Sequence, residues 1–147
     1  MGTVAKPYII YSNTAISAAS PEGGAVSKYV SEPGQVSFGV IDFVPGLYRA
    51  LHHHHTWELI IIDASSEGPG YTRFDKHWWR VDPGSAVFVP KGCSHAWSSG
   101  NNNGFKMLYV YGGTREEADR VWEEPIENAL AITPDEERNA PRWTPKT

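Results

Sequence analysis

Short runs of alternating apolar and polar residues, broken by glycine and proline, occupy the chain from about residue 26 to 111. Ser37–Val44 alternates and stops at the turn Pro45-Gly46. Tyr48–Asp63 reads as one long extended stretch that ends in the loop Ala64–Gly70. Tyr71–Phe74, His77–Val81, Ser85–Pro90 and Phe105–Tyr111 follow as shorter strands. Between them lie Asp82-Pro83-Gly84, Lys91-Gly92 and Gly100–Gly104. Many short strands with turn residues at regular spacing predict an all-β sandwich or barrel. Leu59–Ile62, Val87 and Val89 supply β-branched and aliphatic core material.

Helical patterning comes only near the carboxyl end. Thr114 stands three residues before Glu117, the spacing of a capping box, and predicts a helix to about Glu123 with Ala118, Val121 and Trp122 inward. Thr133-Pro134-Asp135-Glu136 repeats the signal with proline at the first helical position. At the other end, Tyr8–Tyr11 and Val26–Val30 read as extra strands. The expected organisation is a single domain over 1–147. Its barrel core spans about 38–111, with strands in 1–37 and a helical segment and tail over 114–147.

Composition narrows the function classes. A net charge of −4 offers no basic face for nucleic acid. One cysteine, Cys93, permits no disulfide within the chain. No apolar run approaches the roughly 20 residues of a membrane span, and no signal-like segment opens the chain, so a cytoplasmic location is expected.

The chemistry concentrates in Gly46–Glu58, which contains His52-His53-His54-His55. The run lies in mid-strand between apolar residues, unlike a terminal affinity tag. Side chains alternate faces along a strand, so His52, His54 and Glu58 share one face while His53, His55 and Trp57 share the other. Two imidazoles and a carboxylate suit iron, manganese, zinc, nickel or copper better than calcium. Only the even-numbered choice also enlists a carboxylate. The second informative segment, Gly84–His95, runs a strand into a proline-glycine turn that returns one histidine.

Together these segments resemble the cupin superfamily. Gly46, His52, His54 and Glu58 match its first motif: glycine, five residues, His-x-His, then glutamate after three or four more. Gly84, Pro90, Gly92 and His95 match the second. The resemblance covers roughly residues 38–111. Ser65 and Ser99 stand where the motifs normally close on glycine and asparagine, and neither is a ligand position. The resemblance implies an antiparallel jelly-roll barrel, usually a homodimer, binding one divalent metal through His52, His54, Glu58 and His95. Such a shell leaves two positions open on an octahedral ion.

Other residues are weighed against ordinary structural roles. His53 and His55 are expected outside the barrel unless a bulge turns one inward. His77 is a candidate general acid or base beside Glu58, should its strand face the bowl. Trp97, Tyr109 and Tyr111 are candidate lining residues of a substrate pocket, and Arg49 and Arg73 are candidate clamps for a substrate carboxylate. Cys93 reads as an inert thiol and Met107 as core filler. The aromatic load favours a flat or apolar organic substrate over a sugar phosphate. The expected activity is that of a non-haem iron dioxygenase on a small aromatic or enolisable compound. The alternatives are a redox-neutral isomerase, lyase or cyclase using zinc, manganese or nickel, and a non-catalytic binding or sensing module.

Overall fold

A computed structural model describes residues 16–19, 26–32, 36–74, 76–113, 116, 118–126 and 131–143, with 16–32 described in backbone only. Among these described residues, eleven strands and one helix follow in order. They are β1 (Ile16–Ala19), β2 (Val26–Glu32), β3 (Val36–Phe43), β4 (Tyr48–His53), β5 (Glu58–Ile62), β6 (Gly70–Arg73), β7 (Trp78–Val81), β8 (Ala86–Val89), β9 (His95–Ser99), β10 (Phe105–Gly112), β11 (Val121–Trp122) and α1 (Pro134–Asn139). They form two antiparallel sheets, β1-β2-β3-β10-β5-β8 and β11-β4-β9-β6-β7. The all-β jelly-roll expectation holds. Tyr8–Tyr11 lies outside the described residues; Val26–Val30 is indeed strand, lengthening the first sheet beyond β3.

Alternation decides what each sheet buries. Ile41 and Phe43 of β3, Met107 and Tyr109 of β10, Ile60 and Ile62 of β5, and Val89 of β8 turn inward from the first sheet. Val81 and Trp97 meet them from the second. Each fully buried aliphatic side chain here contributes on the order of 1.5–3 kcal/mol. A second cluster of Tyr48, Ala50, Tyr71, Trp78 and Ala96 lies on the other face of the β4-β9-β6-β7 sheet, covered by Ile132 and its neighbours in the carboxyl-terminal segment. Strand β9 is therefore buried on both faces.

Two expectations need correction. Tyr48–Asp63 is not one strand: the chain leaves β4 after His53, turns through His54–Trp57, and starts β5 at Glu58. The Thr114–Glu123 segment is not a helix where it is described. Val121–Trp122 instead pairs with His52–His53 as β11, and the Glu123 amide donates to the Leu51 carbonyl at 2.9 Å. Thr114, Arg115 and Glu117 lie outside the described residues. The second capping box is formed: Thr133 and Glu136 bond reciprocally at the start of α1. No helix among the described residues is long and apolar enough to cross a membrane.

Gly104 marks a close approach between the start of β10 and the end of β3. A Cβ at this position would collide with the carbonyl oxygen of Phe43, a backbone atom that cannot swing aside. Gly104→Ala should cost about 1–3 kcal/mol, as overpacking does, and a lowered thermal midpoint with an intact metal site is the expected outcome.

Candidate metal centre

Each histidine of the site is delivered by a different structural device. His52 on β4 pairs in register with His95 on β9, placing the two imidazoles side by side. His54 follows β4 in the turn, where its carbonyl accepts the Gly92 amide at 3.0 Å. The hydroxyl of Thr56 closes that turn on the Gly112 carbonyl. Glu58 then opens β5 in the facing sheet. The four candidate ligands thus share an interior face because the chain crosses between sheets, not because one strand carries them.

The side chains converge. One ligand atom from each of His52, His54 and His95 lies within 4.8 Å of the others. All three residues are at most 2% exposed. The Glu58 carboxylate spans the gap, with Oε2 at 3.3 Å from His54 Nε2 and Oε1 at 3.3 Å from His95 Nε2. Adjacent ligands around an ion with bonds of about 2.1 Å stand roughly that far apart.

The hydrogen-bond pattern fixes which nitrogen is free. His52 Nδ1 faces the Ala50 carbonyl at 2.6 Å, His54 Nδ1 the Ala118 carbonyl at 2.6 Å, and His95 Nδ1 the Cys93 carbonyl at 3.0 Å. A carbonyl only accepts, so each Nδ1 carries the proton and donates it. A neutral imidazole then presents a bare lone pair at Nε2, the tautomer a metal requires. The Nε2 atoms of His54 and His95 are buried without a hydrogen-bond partner. Buried lone pairs and a carboxylate repel one another unless a cation bridges them, and the donor set fits a divalent ion.

Protonation agrees with that reading. Burial, reinforced by His95 and His54, holds His52 well below the usual imidazole range. Burial lowers His54 to about 4, against the opposing pull of Glu58. For Glu58, burial alone would raise the pKa. The His95 imidazole beside it, then that of His54, and the Tyr111 hydroxyl outweigh it and bring the carboxyl to about 2. At neutral pH the site therefore presents His52 and His54 as neutral imidazoles beside an ionised carboxylate. In the metal-free protein both shifts act in one direction. The folded state binds fewer protons than the unfolded chain, from the ordinary histidine value near 6.5 down to about 4 for His54, and from 4.5 down to about 2 for Glu58. Stability should thus fall as pH drops through 6.5, and denaturant midpoints measured between pH 8 and 4 check it.

Tyr111 is the contact that sequence reasoning under-read. Its hydroxyl donates to Glu58, and burial followed by the Glu58 charge pushes its pKa well above the tyrosine range. Its ring lies 4.8 Å from that of His54. The signal was its register position, since Tyr111 pairs directly with Glu58 across β10 and β5. A narrow inner cavity adjoins the centre, lined by Arg49, His52, Glu58, Trp97, Tyr109 and Tyr111 among others. Arg49 faces inward with His52, despite opposite parity, because the β4–β9 register shifts between them.

Other expected site residues lie elsewhere. Arg73 is corrected as a clamp: its guanidinium holds Glu124 at 3.0 Å and Tyr48 Oη at 3.1 Å, beside the Trp78 ring. His77 is exposed in the link between β6 and β7 and does not line the inner cavity. His53 and His55 face away from the centre, and His53 meets Glu123 at 3.4 Å. Cys93 is half-buried and its thiol pKa is raised, first by burial, while Met107 is core.

Residues 36–128 match the model of the AraC-like ligand binding domain, and the chain belongs to that family, a branch of the cupins. No curated protein sequence matches it. Among solved structures it is similar to the polyketide cyclase RemF from Streptomyces resistomycificus, at 17% identity over 83% of this chain and 92% of that one, with a TM-score of 0.63. KdgF from Halomonas sp. aligns at 14% identity over 74% and 97% of the two chains, TM-score 0.61. An oxalate decarboxylase variant from Bacillus subtilis aligns at 16% identity over 83% of this chain and 33% of its own, TM-score 0.62. Identities this low establish the shared double-stranded β-helix fold.

Proposed function

We propose that this chain is a metal-dependent enzyme acting on a small molecule, with His52, His54, Glu58 and His95 as the ligands and iron as the ion. The reaction class we assign first is dioxygenation of a small aromatic or enolisable compound. The observation that carries the metal reading is the set of buried Nε2 lone pairs turned toward an ionised Glu58, each fixed by an Nδ1 bond to a carbonyl. When bound, the ion supplies Lewis acidity and, if it is iron, one-electron chemistry with dioxygen. The chain's own residues do the rest. Tyr111 keeps its proton and orients Glu58. Trp97, Met107 and Phe43 wall the inner cavity with apolar surface. Arg49 places a guanidinium on the same wall.

A redox-neutral lyase, isomerase or cyclase is the second reading. It is favoured by the Tyr111 hydroxyl, which keeps its proton next to the Glu58 carboxylate and can donate a hydrogen bond to an enolate oxygen. Two of the similar structures, a polyketide cyclase and an oxalate decarboxylase, point the same way. Metal analysis of protein purified without added metal, then oxygen uptake against enolisable substrates, separates the readings. Iron with substrate-dependent uptake supports the first; zinc or manganese with turnover and no uptake supports the second. Saturable binding without turnover returns the chain to a ligand-binding role.

The homodimer expectation also stays a proposal. Val40, Leu108, Phe88 and Trp57 are exposed large apolar residues, and Val40 pairs with Leu108 on the outer face of the β3-β10-β5-β8 sheet. Covering such a face is what a second copy would do. Light scattering at micromolar concentration should give twice the 16.3 kDa chain mass; a mass near the single-chain value removes the dimer.

A further inference from the structure

The candidate histidines are not oriented alike. His52 and His95 donate from Nδ1 to carbonyls two residues back in their own segments, those of Ala50 and Cys93. His54 donates to the carbonyl of Ala118, which is 64 residues away in sequence. Its orientation therefore depends on where the chain places Ala118–Glu124. That segment runs along the outer edge of β4 as a strap, with Val121–Trp122 paired there as β11. It touches a second histidine as well. Trp122 pairs with His52 and sets its ring 5.4 Å from that imidazole.

Backbone bonds alone hold the strap weakly. β11 is two residues long, and the Glu123 amide adds one bond to the Leu51 carbonyl. Side chains do the rest. The Ala118 methyl is buried in the main core cluster, and the Arg120 guanidinium lies 5.2 Å from the centre of the Trp122 ring. Glu124 gathers the most contacts. Its Oε1 accepts from the Tyr48 hydroxyl, from the Leu51 amide at 2.9 Å and from Arg73 Nη2 at 3.0 Å, and its Oε2 lies 3.2 Å from the same nitrogen. Donors on β4 and β6 thus converge on one carboxylate of the strap. Hydrogen bonds to an ionised acceptor are about twice as strong as neutral ones. Burial alone would raise the Glu124 carboxyl, but the Tyr48 hydroxyl, the Leu51 amide and Arg73 outweigh it and hold it below the usual range.

We propose that Glu124 is a positioning residue for the metal centre: it fastens the strap so that the Ala118 carbonyl keeps His54 turned with Nε2 toward the ion. The inference rests on the metal reading above and adds to it a residue outside the ligand set. It also gives Arg73 a role, as the charge on β6 that anchors Glu124. Groups that orient a ligand histidine weaken metal binding about 10–100-fold when lost. Glu124 acts through Ala118, so the lower end of that range applies.

The test uses the full-length protein and two readouts. In the metal-free form the buried, hydrogen-bonded Nδ1 proton of His54 is followed by proton NMR. Glu124→Ala should shift or broaden that resonance and leave the one from His95 in place. Zinc affinity, measured in competition with a chelator, should fall about tenfold. Gly104→Ala is the control for lost stability, since it lies at the far end of β10 from Tyr111, the residue paired with Glu58. It should keep the parent's His54 resonance and zinc affinity. Glu124→Gln preserves the shape and loses the charge opposite Arg73. It should give both changes at smaller size, and it carries the test if Glu124→Ala does not fold. The proposal is overturned if the His54 proton is unmoved in a folded Glu124 variant, or if Gly104→Ala weakens zinc as much as Glu124→Ala does. A parent protein that binds no zinc would remove the metal reading, and the His54 resonance would still decide whether Glu124 holds the strap.

Discussion

His95→Ala should leave the purified protein nearly free of metal, whereas His53→Ala should retain close to one ion per chain. His95 is fully buried, and its Nε2 faces the Glu58 carboxylate with no hydrogen bond of its own. Removing it takes away one of the four proposed ligands and opens a void beside His52, whose ring lies 4.3 Å away. Loss of partners that merely orient a ligand weakens metal binding about 10–100-fold, so loss of a ligand should exceed about a hundredfold. His53 turns toward Glu123 on the other face of the strand, and its loss removes a partly exposed ion pair worth at most about 1 kcal/mol. Elemental analysis after dialysis, with circular dichroism to show that both variants fold, reads the contrast. Equal metal loss in the two would mean that the outward histidines reach the ion.

The same contrast shows what could be read from the sequence. The candidate set was legible because residue types at fixed spacing carry it: His52, His54, Glu58 and His95 come together in the interior of the folded chain as well. The path between them was not. Period-two alternation carries no mark of the turn at His54–Trp57, and the even-numbered residues stay together only because the turn lands Glu58 on the inner face of the opposite sheet. Nor does it mark the register shift that turns Arg49 inward.

The two capping-box signals diverged for a tertiary reason. Thr133 begins a helix where no strand edge competes for its backbone. The segment after Thr114 instead meets the open edge of β4, and pairing there satisfies backbone groups that a short helix would leave marginal. That choice also supplies the Ala118 carbonyl that orients His54 and the Glu124 carboxylate that claims Arg73. Arg73 and Glu124 are 51 residues apart, so no local pattern could have withdrawn this arginine from the substrate pocket.

Glu58→Gln should keep the fold, retain a fraction of the metal and lose at least about a hundredfold in turnover. The amide matches the carboxylate in shape, so the turn into β5 and the inner wall have no steric reason to change. Three properties do change. The charge of the site rises by one, weakening attraction for a divalent ion and raising its Lewis acidity. One oxygen becomes an NH₂ group, which can donate to the bare Nε2 of His54 or His95 where the carboxylate could only repel it. The metal-free variant should therefore be at least as stable as the metal-free parent, and it should lose less stability on acidification, because the carboxyl held near 2 is gone. The Tyr111 hydroxyl, meanwhile, loses its charged acceptor. Tyr111→Phe isolates that last effect: it removes one hydrogen bond to a charged group, worth about 1.5–3 kcal/mol, and should cost activity about tenfold or more while sparing metal content. Metal content, thermal midpoint and turnover measured together on both variants discriminate the roles. Unchanged turnover in Glu58→Gln would take the carboxylate out of the inner shell and leave three histidines as the whole of the protein's contribution to the ion.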